Sequence, residues 1–156
     1  HTNSVLLSIG RRGTPRKLDV PGEDLEKVMY RLIDPAQFTG KHVLVVGGGD
    51  AALEAAVTIS EEPRTTVTLS YRSNAFSRVK VKNRKYAEAA SATGRLNILL
   101  ESNVTEILPN SVKLEQKGNV IEIPNDAVII CAGGILPTPL LQEIGIKIDT
   151  HRGQRH

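Results

Sequence analysis

The chain has 156 residues, 40% hydrophobic and 24% charged, with a formal net charge of +3. This is enough for one domain, which at this size can bury about 70% of the surface its unfolded chain exposes. One cysteine, Cys131, excludes a disulfide framework and a Cys-rich zinc site, and the four histidines lack ligand spacing, so no metal centre is expected.

Taken in chain order, SVLLSIG (4–10) reads as a short apolar strand, and the following RRGTPRKLDVPGED as a connector rich in Arg, Gly and Pro. The spacing of Leu25, Val28, Met29 and Leu32 predicts a helix over 24–34, broken by Pro35. KHVLVV (41–46) is a continuous apolar strand of the kind buried on both faces of a parallel sheet. A glycine turn follows, then an Ala-rich helix over 52–62 closed by Pro63 and a β-branched strand over 65–71. These pieces make one βαβ unit.

A helix is predicted over 83–94, stopped by Gly94, and a third strand in RLNILLES. NVTEILP, SVKLEQ and NVIEIP alternate as a half-exposed antiparallel meander does, with turns at Asn110-Ser111 and Lys117-Gly118-Asn119. DAVIICAGG is another apolar strand, TPLLQEIGI a short helix or turn, and THRGQRH a polar tail. The expected fold class is α/β, a Rossmann-like parallel sheet with a three-stranded antiparallel β-meander, in a three-layer ββα arrangement.

Charge is unevenly spread. Between Arg72 and Arg95 stand seven bases against one acid, Glu88, so the rest of a chain that is only +3 overall is net acidic. A local patch of this kind fits a phosphorylated small molecule better than a whole nucleic-acid-binding face, although a solvated basic helix face has the same composition. Aromatic residues make up 3% of the chain, too few for a base-stacking surface, so no nucleic-acid partner is expected. No apolar run approaches the roughly 18 residues of a membrane span, and HTNSVLLSIG shows no secretory pattern. No membrane partner and a cytoplasmic location are the expectations.

The chemistry is concentrated in Gly47-Gly48-Gly49-Asp50-Ala51-Ala52, which fits G-x-G-x-x-A between a strand and a helix. Gly47 permits the tight turn, Gly49 lets the backbone approach a pyrophosphate, and Ala52 is small enough for the helix to pack on the strand. The helix N-terminus offers free N–H groups and partial positive charge to phosphates. Asp50 is expected to cap that helix, and Glu54 either shares this role or points toward the nicotinamide side of the cleft. An NAD site places an acid at the end of the second strand, whereas this chain has Ser70-Tyr71-Arg72-Ser73. Arg72 can pair bidentately with a 2′-phosphate, Ser73 can add a hydrogen bond, and Arg78 can close over the adenine end. These residues favour NADPH over NADH. A glycine turn that binds nothing is the bland alternative.

GKHVLVVGGGDAALEAA followed by VTLSYRSNAFSR resembles the NADPH-binding domain of the thioredoxin reductase-like, FAD-dependent pyridine nucleotide-disulfide oxidoreductases. VLLSIGRRGTPRKLDVPGED is similar to the strand and connector by which the chain leaves that family's FAD domain. VIICAGGILPTPLL is similar to its Ala-x-Gly-x-x-Pro-x-Thr segment, where the chain turns back toward FAD. The resemblance implies residues 1–14 as strand and connector from a FAD domain, 15–145 as the NAD(P)H-binding domain, and 146–156 as the start of the return. It further implies a fragment of a longer enzyme, inactive alone, in which hydride passes from NADPH to a flavin held by the FAD domain of the same chain. In that picture the nicotinamide projects toward Ala132, Gly133 and Gly134, where small residues leave room for a flat ring. The chemistry belongs to the cofactors, so no catalytic residue is assigned.

The sequence departs from the family in two places. Thioredoxin reductases carry a Cys-x-x-Cys pair between connector and glycine motif, where this chain reads LEKVMYRLIDPAQFT, and their His-Arg-Arg is here Tyr71-Arg72-Ser73. The electron acceptor is therefore left open among a ferredoxin, an iron–sulfur domain and a thiol elsewhere. Cys131 reads as core. A homodimer of the whole protein is compatible with the family. The competing readings are an NADP-sensing module without turnover and a basic nucleic-acid binder using residues 72–95.

Overall fold

The computed structural model describes residues 15–135 and 138–147, which fall in two units: Lys17–Gly133, and the described parts of 1–16 with 134–156. The strand expected at 4–10 and the polar tail lie outside the described residues. In the smaller unit Pro15 forms an antiparallel bridge with Gly134, and α3 (Thr138–Glu143) is the short helix expected in TPLLQEIGI.

The larger unit is built on a five-stranded parallel sheet. Its strands are β1 (Val28–Met29), β2 (His42–Val46), β3 (Thr66–Tyr71), β4 (Leu96–Leu100) and β8 (Ala127–Ile130), in the order β1-β8-β2-β3-β4. β5 (Ser102–Ile107), β6 (Ser111–Gln116) and β7 (Asn119–Pro124) form the separate antiparallel meander. Lys117 and Gly118, with φ of 52° and 82°, make the tight turn between β6 and β7 that the strand twist favours. Gly supplies one of the two positive φ angles without strain.

The continuous apolar strands have partners on both faces. Along β2, Val43 and Val45 join one buried cluster, and Leu44 and Val46 join the other. β8 repeats this, with Ala127 and Ile129 on the first side and Val128 and Ile130 on the second. The first cluster is closed by α1 (Asp50–Ser60) and α2 (Val81–Ala92), through Ala52, Leu53, Ala56, Ile59, Ala87 and Ala90. The second is closed by Val104, Ile107, Val112 and Leu114 of the meander. Meander, parallel sheet and helices are thus three layers, as expected from the sequence. Full burial of side chains such as Leu53 and Ile59 contributes about 1.5–3 kcal/mol each. Ser70 and Ser102, both buried, hydrogen-bond at 2.7 Å and tie β3 to the start of the meander.

One predicted element is corrected. Residues 24–34 are not a helix. The segment makes turns and then the two-residue edge strand β1, parallel to β8 with Val28 opposite Val128 and Met29 opposite Ile129. Val28 packs toward the meander cluster and Met29 toward the helix cluster, the opposite-face placement of neighbours in a strand. The connector before it is fixed by Glu23, whose carboxylate accepts from the N–H groups of Leu18 (2.8 Å) and Asp19 (2.7 Å) and from the Tyr30 hydroxyl (2.9 Å). Burial raises the Glu23 carboxyl, but these hydrogen bonds outweigh it and hold the group below its ordinary value.

Candidate functional site

Three segments meet at the carboxyl edge of the parallel sheet. Val46 is in register with Ser70 on one side and Ile130 on the other, so residues 47–49, 72–80 and 131–133 leave the sheet side by side. β2 lies where the strand order turns, with β3 and β4 on one side and β8 and β1 on the other. In open α/β sheets ligands bind in the crevice at that point.

The glycine turn has the features its sequence predicts. Gly47 has φ +149°, and its N–H donates to the Ser70 carbonyl at 3.0 Å. A β-carbon there would lie 3.0 Å from Cβ of the fully buried Ala52, so Ala52 fills the close helix–strand contact. Gly49 is exposed and precedes the eleven-residue α1. A β-carbon on Gly49 meets nothing within 4 Å. Its backbone, at φ −101° and ψ 175°, is ordinary extended chain. Among the described residues the N–H groups of Gly48, Gly49, Asp50 and exposed Ala51 have no acceptor. Free amides at an exposed helix N-terminus, with no protein atom near the place of a Gly49 side chain, have the polarity and the access a phosphate requires. The residues present therefore fit a dinucleotide pyrophosphate.

The second strand ends in an aromatic lock. The Tyr71 ring stacks on Phe76, with centroids 5.4 Å apart and planes at 9°, and lies against Gly48, where a β-carbon would collide with it. Tyr71 thus ties the start of the 72–80 loop to the glycine turn. Arg72 and Arg78 on that loop are exposed, and neither is ion-paired among the described residues. Ser73 is half-buried, and its carbonyl accepts from the Glu101 N–H at 3.1 Å.

Asp50 is placed differently from expectation. It stands in the first turn of α1, but α1 has no side-chain cap. Its carboxylate accepts instead from the Lys80 N–H at 2.9 Å and from the Asn83 amide at 2.8 Å, across to α2. Glu54, one turn further along α1, accepts from the same Asn83 amide at 2.7 Å. Asn83 was not singled out by the sequence; a polar residue at a helix position facing two carboxylates becomes visible only once α1 and α2 are packed together.

On the third segment, Ala132 packs on the meander-side cluster, and Gly133 has open space around its α-carbon. Gly134 belongs to the smaller unit. Cys131 donates its N–H to Val46 at 2.7 Å, and burial raises its thiol to about 11 from 9.0. At pH 8 this lowers the thiolate population about 100-fold, and the thiolate is the reactive form. Cys131 is therefore expected to label about 100-fold more slowly in the folded chain than in urea at pH 8, the gap closing as the pH approaches 11. Equal rates would show the thiol open to solvent. Among the described residues no group of three or more potential metal ligands occurs, and no helix is long and apolar enough to cross a membrane.

The family model for pyridine nucleotide-disulphide oxidoreductases matches residues 1–155. The chain belongs to this family. Bacilliredoxin reductase Bdr of Bacillus subtilis is 28% identical over 155 residues, 98% of this chain and 48% of that protein. A ferredoxin–NADP reductase of Ignicoccus hospitalis is 42% identical over 72 residues, 46% of this chain and 23% of that protein. Among solved structures, bacillithiol disulfide reductase Bdr from Bacillus cereus superposes with a TM-score of 0.82 at 26% identity, over 87% of this chain and 42% of that one. Thioredoxin reductase from T. acidophilum gives 0.75 at 25% identity, over 87% and 46%. The chain spans less than half the length of these relatives. Pyridine nucleotide-disulfide oxidoreductases of the thioredoxin reductase-like group are thus its kin, as its glycine motif and its Tyr71-Arg72 segment imply.

Proposed function

We propose that this chain is the NADPH-binding domain of a FAD-dependent oxidoreductase, with FAD held by a further domain of the whole protein. The observation that carries this reading is the open turn at Gly49, where the N–H groups of residues 48–51 have no acceptor among the described residues, next to the 72–80 loop with its exposed Arg72 and Arg78. When bound, NADPH supplies a hydride to a flavin. The chain's own residues bind and orient. Gly48 to Ala51 hold the pyrophosphate with backbone N–H groups, and Arg72 and Arg78 receive the 2′-phosphate. Ala132 and Gly133 border the crevice from β8 with little side-chain bulk. The acceptor of the whole protein is a separate matter: relatives bear the names of both ferredoxin and disulfide reductases.

Arg72→Ala is expected to weaken NADPH binding by about 1.5–3 kcal/mol, the range for a hydrogen bond to a charged group, and to leave NADH almost unchanged. Calorimetric titration of both nucleotides into wild type and variant checks this. Equal wild-type affinities for NADPH and NADH would defeat the assignment of Arg72 to a 2′-phosphate.

A further inference from the structure

The 72–80 loop carries both arginines of the candidate site, and its geometry is held at three points. At its start the Tyr71 ring is packed between Phe76 and Gly48. Two residues further on the Ser73 carbonyl accepts from the Glu101 N–H. At its end Asp50 Oδ1 accepts from the Lys80 N–H, immediately before α2, and from Asn83 Nδ2.

The third point is the informative one. α2 begins against its own local sequence. Its N-cap residue is Lys80, which makes no side-chain cap, and its first turn contains no acid. Lys82, Arg84 and Lys85 crowd the end of the helix where positive charge is unfavourable. The cap is supplied from α1, thirty residues earlier, by a carboxylate that accepts from the Lys80 N–H and offsets part of this charge. Asn83 is buried, and its two amide hydrogens are both used, one on Asp50 and one on Glu54 at 2.7 Å. The bonds from Lys80 and Asn83 hold the Asp50 carboxyl below its ordinary value. Asp50 is also the first residue of the helix whose N-terminus forms the phosphate cradle. One side chain therefore joins the cradle to the far end of the arginine loop.

We propose that Asp50 is a positioning residue for nucleotide selectivity: by capping α2 from the first turn of α1, it sets the span between the pyrophosphate cradle and Arg72 and Arg78. Its side chain touches no cofactor and acts through the loop. This rests on the nucleotide reading above. A dinucleotide without a 2′-phosphate uses only the cradle, so loosening the loop weakens NADPH and not NADH. Removing a negative charge near the cradle favours the more anionic NADPH, so a fall in the NADPH-to-NADH affinity ratio reports positioning and not charge.

The test is calorimetric titration of NADPH and NADH into wild type, Asp50→Ala, Asp50→Asn and Asn83→Ala. Asp50→Ala is expected to lower the NADPH-to-NADH affinity ratio on the order of tenfold, the low end for losing a charge-assisted hydrogen bond. Asp50→Asn keeps an Oδ1 that can accept from both donors, and is expected to restore the ratio to within about threefold of wild type. Asn83→Ala should lower it by an intermediate amount, and decides the matter if Asp50→Ala does not fold. An unchanged ratio in the alanine variants, with both affinities falling together, would make Asp50 a merely structural cap and overturn the proposal. A wild type that binds neither nucleotide, or both equally, would overturn the underlying reading, and the proposal with it.

Discussion

Gly49→Val is expected to leave the chain folded and unable to bind NADPH. The backbone at this position is extended, at φ −101° and ψ 175°, a region valine favours. The new side chain meets no protein atom within 4 Å of its β-carbon. The loss of a glycine N-cap costs about 1 kcal/mol or less, so the melting temperature should fall by only a few degrees. The valine would instead project into the open space at the turn whose amides, Gly48 to Ala51, are proposed to hold the pyrophosphate. In wild type, NADPH at about 100 times its dissociation constant stabilises the fold by roughly 2.7 kcal/mol, or roughly 5–10 °C in melting temperature. The variant should show no shift. A shift retained by Gly49→Val would remove the pyrophosphate from this turn, and a wild type with no shift would remove the dinucleotide altogether.

How far the sequence could be read depended on the range of the interactions that decide each element. The three layers were legible because β2 from Val43 onward and all of β8 are apolar, which demands cover on both faces, while the meander alternates. The glycine turn was legible because its signature lies within six residues between a strand and a helix, although Ser70, Tyr71 and Cys131 also press on it from elsewhere in the chain. The segment 24–34 was not. Leu25, Val28, Met29 and Leu32 have helical spacing, but what decides them is β8, a hundred residues away, and no local window contains it. Asp50 was misread for the same reason. An acid at the start of a helix ordinarily serves that helix, and only the packing of α1 against α2 brings Lys80 N–H and Asn83 within reach. At Gly49 the backbone angle is one any residue adopts, so it does not by itself require glycine. The packing of the Tyr71 ring on Phe76 and against Gly48 was not legible either, since it joins the end of one strand to the turn after another.

Gly47→Ala is expected to have the opposite outcome to Gly49→Val, with the cost falling on the stability of the fold. Gly47 has φ +149°, which L side chains rarely adopt, and strain of this kind costs about 1–3 kcal/mol. A β-carbon would also stand 2.5 Å from the carbonyl oxygen of Cys131 and 3.0 Å from Cβ of Ala52. Neither neighbour yields easily. The carbonyl belongs to backbone anchored to Val46 by the Cys131 N–H, and Ala52 is fully buried under α1. Overpacking adds about 1–3 kcal/mol. Together this is roughly 2–6 kcal/mol, against about 5–15 kcal/mol for the whole stability of a domain. Adding Ala52→Gly should recover little, because the backbone contact and the φ remain. Gly48→Ala should be intermediate: its β-carbon would strike the Tyr71 ring, and a side chain can swing aside at the cost of its stack on Phe76. Denaturant melts of the three single alanine variants should therefore rank the loss of stability as Gly47, then Gly48, then Gly49. Gly49→Ala proving the most damaging would show that this turn is held by protein contacts alone, with no space kept for a ligand.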